Sequence, residues 1–200
     1  LTVSFFMTSI MGKLDFFYLL KIKGPADAGA YAAAQQLSQA FSLLLGAIGT
    51  VLTSHVSEKK DYKTKKAFLK RSFKFTALIA AGFMLCTLLA PLLIKLFFGQ
   101  KYLLAISPLQ LLIVHLAINA LLLPVSLLFI PLGKVKIGTF IVAVQLLSSL
   151  MLYPVLINKY GINGAAITVI ICTIIGAVIY PSFLIKYLNA EKKESNKTIS

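Results

Sequence analysis

Long apolar blocks, separated by short polar segments, dominate the pattern of the chain. Six blocks approach or exceed the roughly 20 residues that a helix needs to cross a bilayer. They cover residues 1–20, 31–53, 74–97, 109–132, 137–158 and 164–187. Glycine, proline and charged residues fall in the connections and in a polar tail, residues 189–200, which we expect to be disordered and cytoplasmic. The pattern predicts an all-α integral membrane protein with six transmembrane helices within residues 1–188.

Composition supports this class. Of the 200 residues, 58% are hydrophobic and 13% charged, with a mean hydropathy of +0.89, whereas about a quarter of a soluble domain is charged. The net charge of +14 would also suit a nucleic-acid binder. However, the basic residues lie between the apolar blocks, so we expect membrane lipids and no nucleic acid as partners. The first block has no basic region or cleavage site typical of a signal peptide. Since the sequence starts at Leu1 and not at Met, we interpret the chain as a piece of a longer protein.

Basic residues are distributed unevenly over the connections and predict the orientation. Fourteen of the 20 Lys and Arg residues lie in segments 59–74, 134–136 and 186–197, and five lie in the other connections. Cytoplasmic loops of membrane proteins carry the excess of Lys and Arg. We therefore expect the second connection, the fourth connection and the C-terminus to be cytoplasmic.

The first block contains two charges, Lys13 and Asp15. Residues two apart project to different sides of a helix, so they do not form a simple pair. One hypothesis is that Lys13 meets a phosphate or a lipid headgroup while Asp15 binds a cation or proton, because intramembrane charges are by default functional. The alternative is that both lie near the outer end of the span and reach the interface, Asp15 toward Tyr18 and Lys21.

A polar and small-residue stripe runs along the second block. Steps of 4, 3, 4, 3 and 4 place its members on one helical face: Gln35, Gln39, Ser42, Gly46, Gly49 and Thr53. The opposite face holds Phe41, Leu44, Leu45, Ile48 and Leu52. Small residues favour close helix packing, whereas the two glutamines also suit the wall of a polar cavity.

Two later blocks also contain polar positions. His115 and Asn119 lie one turn apart, before Pro124, which disturbs the hydrogen bond to the Ala120 carbonyl. This arrangement suits a gate or binding surface, or a structural hydrogen bond. The fifth block places Gln145 and Ser149 on one face. The sixth has a small-residue seam that indicates packing, formed by Gly164, Thr168, Cys172, Gly176 and Tyr180.

Catalytic and metal-binding motifs do not occur. Of the six acidic residues only Asp15 lies in a predicted span, and there is no HExxH motif, P-loop or Cys/His cluster. Cys86 and Cys172 lie deep in apolar blocks and are expected to be buried thiols. We therefore expect no enzyme, no cofactor and no metal, and a polar-lined helical bundle favours transport.

Four segments, in order, carry a resemblance to a known family: "LDFFYLLKIKGPADAGAYAAAQQLS", "LLAPLLIKLFFGQKYLLAISPLQLL", "GKVK" and "NKYGINGAAITVI". Together they resemble the C-terminal half of polysaccharide flippases of the Wzx type, within the MATE-like multidrug/oligosaccharidyl-lipid/polysaccharide (MOP) exporter superfamily. The segment "LTSHVSE" departs from the family pattern, which often has a proline near His55.

The resemblance implies one six-helix lobe of a two-lobed transporter in a prokaryotic inner membrane, with the N-terminal lobe missing from this chain. The implied substrate is a polyprenyl-pyrophosphate-linked oligosaccharide, flipped to the outer leaflet for O-antigen or capsule synthesis, with a coupling cation or proton. An ion-coupled drug exporter and a non-transporting structural subunit are the alternatives. The candidate substrate or ion-binding residues are Lys13, Asp15, Gln35, Gln39, His115 and Asn119.

Overall fold

The chain folds into a bundle of long helices. The computed structural model describes residues 2–57, 62–129 and 135–197, and within them the side chains of 6–54, 67–129 and 137–183. The helices are α1 (Thr2–Lys23), α2 (Pro25–Ser57), α3 (Tyr62–Phe98), α4 (Ile106–Leu127), α5 (Val135–Tyr160) and α6 (Ile162–Lys197), with a 3₁₀ helix at Gln100–Ala105. No strand occurs in these ranges, which confirms the all-α class.

Five of the described helical segments are long and apolar enough to cross a membrane. They are Pro25–Ser54, Ala67–Phe98, Gln100–Leu127, Ile137–Tyr160 and Ile162–Phe183. The chain is therefore a multi-pass membrane protein. The first predicted span forms α1, of which the structure describes the side chains only from residue 6 onward, so its crossing of the membrane stays a prediction.

The connections are shorter than the sequence pattern predicts. Gly24 alone separates α1 from α2, and Gly161 alone separates α5 from α6, with φ angles of 91° and 60°. Glycine adopts such angles without steric cost, and each donates its N–H to a carbonyl of the preceding helix, as helix C-caps do. Residues 58–61 and 130–134, within the second and fourth connections, lie outside the described residues.

The predicted tail is largely a continuation of α6. The helix extends to Lys197, so the expectation of disorder is wrong for residues 189–197. This stretch is rich in Glu and Lys, which are good helix formers. Residues 198–200 lie outside the described part of the chain.

Two apolar clusters hold the bundle together. The larger one combines fully buried residues of several helices, including Leu19, Tyr31, Ile94 and Ile113. The smaller one forms around Leu128 and Phe129, against which Phe68, Leu69, Val125, Ile137 and Tyr180 pack. The smaller cluster joins the start of α3, the end of α4, the start of α5 and the latter part of α6. These parts therefore lie on one side of the bundle. The predicted topology requires this, because it places the second and fourth connections and the C-terminus on the same side.

The small-residue seam of α6 packs closely on α5. Gly164 lies so near the Leu156 carbonyl that a Cβ there would clash with the Leu156 backbone. Thr168 and Cys172 are buried, and Gly176 contacts the Gln145 side chain. The prediction of a packing seam is therefore confirmed.

Candidate functional site

Asp15 lies inside the bundle and joins α1 to α2. Its side chain is only 2% exposed. One carboxylate oxygen accepts hydrogen bonds from the Tyr31 hydroxyl at 3.0 Å and from Gln35 Nε2 at 2.5 Å. The other accepts the Phe16 backbone N–H at 2.7 Å. Tyr31 and Gln35 are four residues apart, so one face of α2 presents both donors to the same carboxylate.

A tyrosine of α5 completes the surroundings of Asp15. Tyr153 is 1% exposed, stacks on Tyr18 with ring centroids 5.9 Å apart, and lies within electrostatic range of the Asp15 carboxylate. Among the described side chains no Lys or Arg forms an ion pair with Asp15. A carboxylate charge without an ion-pair partner is costly to bury, and the three donated hydrogen bonds offset part of that cost.

Lys13 and Asp15 project to different sides of α1, as predicted. Lys13 is exposed, whereas Asp15 points inward to α2. The alternative in which Asp15 reaches the interface toward Tyr18 and Lys21 is wrong, because its carboxylate is buried and bonded to Tyr31 and Gln35.

The polar stripe of α2 has two different environments. Gln35 binds Asp15, while Gln39, Ser42 and Gly46 are exposed on the surface of this chain. Gly49 is buried, with Leu123 of α4 close to it. The stripe therefore packs closely at Gly49 and is open at Gln39 and Ser42, and a cavity wall at Gln35 and Gln39 stays a prediction.

The face opposite this stripe meets two kinds of apolar surroundings. Leu44 is exposed, as expected of a lipid-facing residue. Leu45 and Phe41 turn inward: Leu45 is buried, and the Phe41 ring packs edge-to-face on Phe83. An inward Leu45 shows that the protein-facing surface of α2 is wider than the polar stripe.

His115, Asn119 and Thr173 form a hydrogen-bonded group between α4 and α6. The Thr173 hydroxyl donates to the Val169 carbonyl at 2.9 Å and lies 2.6 Å from His115 Nδ1. Asn119 Nδ2 lies 3.0 Å from His115 Nε2 and 3.3 Å from Nδ1, and it also donates to the His115 carbonyl at 3.2 Å. The three side chains thus form one hydrogen-bonded group that links α4 to α6.

Asn119 also lines a cavity of about 310 Å³ between α2, α4, α5 and α6. Its described walls are Leu45, Gly46, Gly49, Asn119, Leu122, Leu123, Ser126, Gln145, Thr173, Gly176 and Tyr180. Gln145 is fixed by a hydrogen bond from Nε2 to the Cys172 carbonyl at 2.8 Å. A Cβ at position 176 would come within 2.6 Å of Gln145 Nε2, so a larger residue there would displace the Gln145 side chain. Pro124 is buried next to this region, and α4 continues through it to Leu127.

The predicted site residues therefore divide into separate groups. Asp15 and Gln35 are in contact, His115 and Asn119 are in contact, and Lys13 and Gln39 are exposed on their own helices. Sequence reasoning missed Tyr31, although its four-residue spacing from Gln35 was a usable signal. It also missed Thr173 and Tyr153, which come from distant helices and follow no stripe.

Comparisons with known proteins identify the family of this chain. The family model described as "Polysaccharide biosynthesis protein" matches residues 1–107. A protein of Shigella flexneri named "Putative O-antigen transporter" is 30% identical over 182 residues, which are 90% of this chain and 43% of that relative. The chain thus spans less than half of the relative's length. No solved structure gives a significant match. With over half of its length matched, this chain belongs to the polysaccharide biosynthesis protein family, as its resemblance to Wzx-type flippases indicated.

Proposed function

We propose that this chain is one lobe of a transporter that moves a polyprenyl-pyrophosphate-linked oligosaccharide from the cytoplasmic to the outer leaflet of a prokaryotic inner membrane. The product would serve cell-surface polysaccharide synthesis. The family match and the name of the Shigella relative support the substrate class. An N-terminal lobe of the same protein would supply the second wall of the transport cavity.

The observation that carries this proposal is the buried carboxylate of Asp15. A charge inside an apolar bundle is retained when it serves a function. Three donors hold the carboxylate in place, from Phe16, Tyr31 and Gln35, and no cationic side chain among the described residues neutralises it. A proton or cation that binds there changes the charge at the junction of α1 and α2, and so couples an ion gradient to the packing of those helices.

Lys13 and Gln39 suit a role on the surface that faces the substrate. Lys13 is exposed on α1 and is the basic residue closest in sequence to Asp15. An ammonium group binds phosphate as a point charge, so we assign Lys13 to the pyrophosphate. Gln39 is exposed one helical turn from Gln35 and provides hydrogen bonds on the same face.

The orientation follows from charge. With fourteen of the 20 basic residues in segments 59–74, 134–136 and 186–197, those segments and the C-terminus lie in the cytoplasm. The substrate therefore enters from the side on which the smaller cluster around Leu128 and Phe129 lies.

The deciding experiment compares Asp15→Asn with Asp27→Asn in the full-length protein, reconstituted in vesicles with a fluorescent lipid-linked oligosaccharide. Leaflet exchange is measured with and without an imposed H⁺ or Na⁺ gradient. Asp27 lies in the first turn of α2 and controls for loss of one carboxylate. We expect Asp15→Asn to abolish gradient-dependent exchange at normal protein levels, and Asp27→Asn to retain it.

The same vesicles distinguish the alternatives. Gradient-driven efflux of a lipophilic cation without oligosaccharide exchange would identify a drug exporter. If the wild-type protein shows neither activity, the non-transporting structural subunit is the remaining alternative. Full gradient-dependent exchange by Asp15→Asn would show that Asp15 does not couple transport to the gradient. Lys13, Gln35 and Gln39 would then be the remaining candidate residues in this chain.

A further inference from the structure

The cavity between α2, α4, α5 and α6 is lined by groups that donate or accept hydrogen bonds without carrying charge. We propose that this cavity binds one uncharged sugar ring. The assignment rests on the proposed function, because it gives the sugar of the transported substrate a subsite inside this lobe. It places the sugar away from Asp15 and Lys13.

The volume suits a single ring. About 310 Å³ is at the lower end of the roughly 300–1,000 Å³ found for small-molecule sites. Gly46 lines the cavity, is exposed and has nothing within 4 Å of a Cβ built on it, so a longer glycan can extend out past it. The cavity therefore opens onto the same face of α2 that carries Gln39 and Ser42.

Three groups in the cavity have unused hydrogen-bonding capacity. Asn119 and Gln145 each use their amide nitrogen within the protein, and neither side-chain oxygen has a partner among the described residues. The Tyr180 hydroxyl also has none in the described part of the chain; its ring packs on Phe129. Among the described residues, the buried polar side-chain atom without a partner is Asn163 Oδ1. The unpaired atoms of Asn119, Gln145 and Tyr180 are therefore not fully buried. All three residues line the cavity, so a bound molecule can reach them.

The chemistry of the lining matches a sugar better than an ion or a lipid chain. Leucines 122 and 123 offer apolar surface for the C–H face of a ring, while the free amide oxygens accept its hydroxyl protons and Tyr180 can donate or accept. No described residue of the lining is charged. A carboxylate or phosphate would therefore lose its hydration without gaining a cation, which is unfavourable.

The test is ligand-observed NMR on the full-length protein in phosphatidylcholine nanodiscs, with methyl glucoside as the probe. Methyl glucuronide is the matched competitor, because it replaces the C6 hydroxymethyl group by a carboxylate. We expect a saturation-transfer signal from methyl glucoside, and competition by methyl glucuronide at least about tenfold weaker, corresponding to about 1.4 kcal/mol. Equal competition by the two sugars, or no signal from methyl glucoside, would overturn the assignment.

A pair of glycine variants locates the signal. Gly46→Leu places a side chain at the cavity mouth, while Gly82→Leu adds the same side chain to α3 at an exposed position with equally open surroundings. Loss of the signal in Gly46→Leu alone supports the cavity, and an unchanged signal in Gly46→Leu places the sugar elsewhere. The wild-type competition result stands even if the variant does not fold.

A glycolipid headgroup has the same uncharged sugar chemistry as the substrate. Adding glucosyl diacylglycerol to the nanodisc separates the two sources: displacement of methyl glucoside indicates a headgroup from the bilayer, and no displacement indicates the sugar of the transported molecule. The binding signal needs no ion gradient. Its absence would therefore be distinguishable from a failure of transport in Asp15→Asn.

Discussion

Replacing Tyr31 by Phe tests whether Asp15 carries its charge inside the bundle. The substitution removes one hydroxyl and leaves the ring, which is fully buried. That hydroxyl donates to the Asp15 carboxylate at 3.0 Å. With Asp15 ionised, the hydroxyl of the wild-type protein would bond an anion, whereas in an Asp15→Asn background it meets a neutral amide.

The difference between these two bonds sets the expected size of the effect. A hydrogen bond to a charged group contributes about 1.5–3 kcal/mol and one between neutral groups about 0.5–1.5 kcal/mol. A double-mutant cycle of Tyr31→Phe and Asp15→Asn should therefore give a coupling free energy of about 1–1.5 kcal/mol. Gln35 and Phe16 still bond Asp15 in the single variant, so the bundle should stay folded.

The assay is unfolding of the full-length protein in mixed detergent micelles, with the four proteins of the cycle compared under one condition. Tyr160→Phe is the matched control, because Tyr160 is exposed at the end of α5 and remote in sequence from Asp15. Sites without mutual contact are additive within about 0.3–0.5 kcal/mol. A Tyr31–Asp15 coupling inside that margin would refute a charged, hydrogen-bonded Asp15, and the ion-binding argument with it.

Two further predictions concern the framework of the bundle. Gly164→Ala should lower the unfolding midpoint relative to Gly82→Ala. Overpacking against the Leu156 backbone costs about 1–3 kcal/mol, whereas position 82 has open surroundings. An equal midpoint for the two variants would contradict the close approach of α5 and α6. Single cysteines at 58–66 should be labelled by an impermeant reagent from the cytoplasmic side only, and those at 159–163 from the outside only; the reverse labelling would invert the transport direction.

Hydrophobic block length was enough to predict the helices, because each block must satisfy its backbone hydrogen bonds internally. It was not enough to predict the connections. The stretch after Gly24 contains Pro25 and Asp27 and reads as a loop, yet proline is favoured in the first helical turn and an acidic residue suits a helix N-terminus. The break between α1 and α2 is formed by Gly24 alone.

The candidate site was predicted in part for a similar reason. Spacing along one helix placed Lys13 and Asp15 on different sides and His115 beside Asn119, because helix geometry determines both relations. Partners on other helices depend on how the helices pack. Nothing in the spacing around Asp15 pointed to Tyr153, and nothing around His115 pointed to Thr173.

The single-residue joint at Gly24 also limits how this half of the protein can move. Consecutive Cα atoms are 3.8 Å apart, so the adjoining ends of α1 and α2 cannot slide past each other by a helical turn. They can only swing about the glycine. Because Asp15 lies nine residues before Gly24 and Gln35 eleven residues after it, breaking their hydrogen bond would let the two helices swing apart about the glycine.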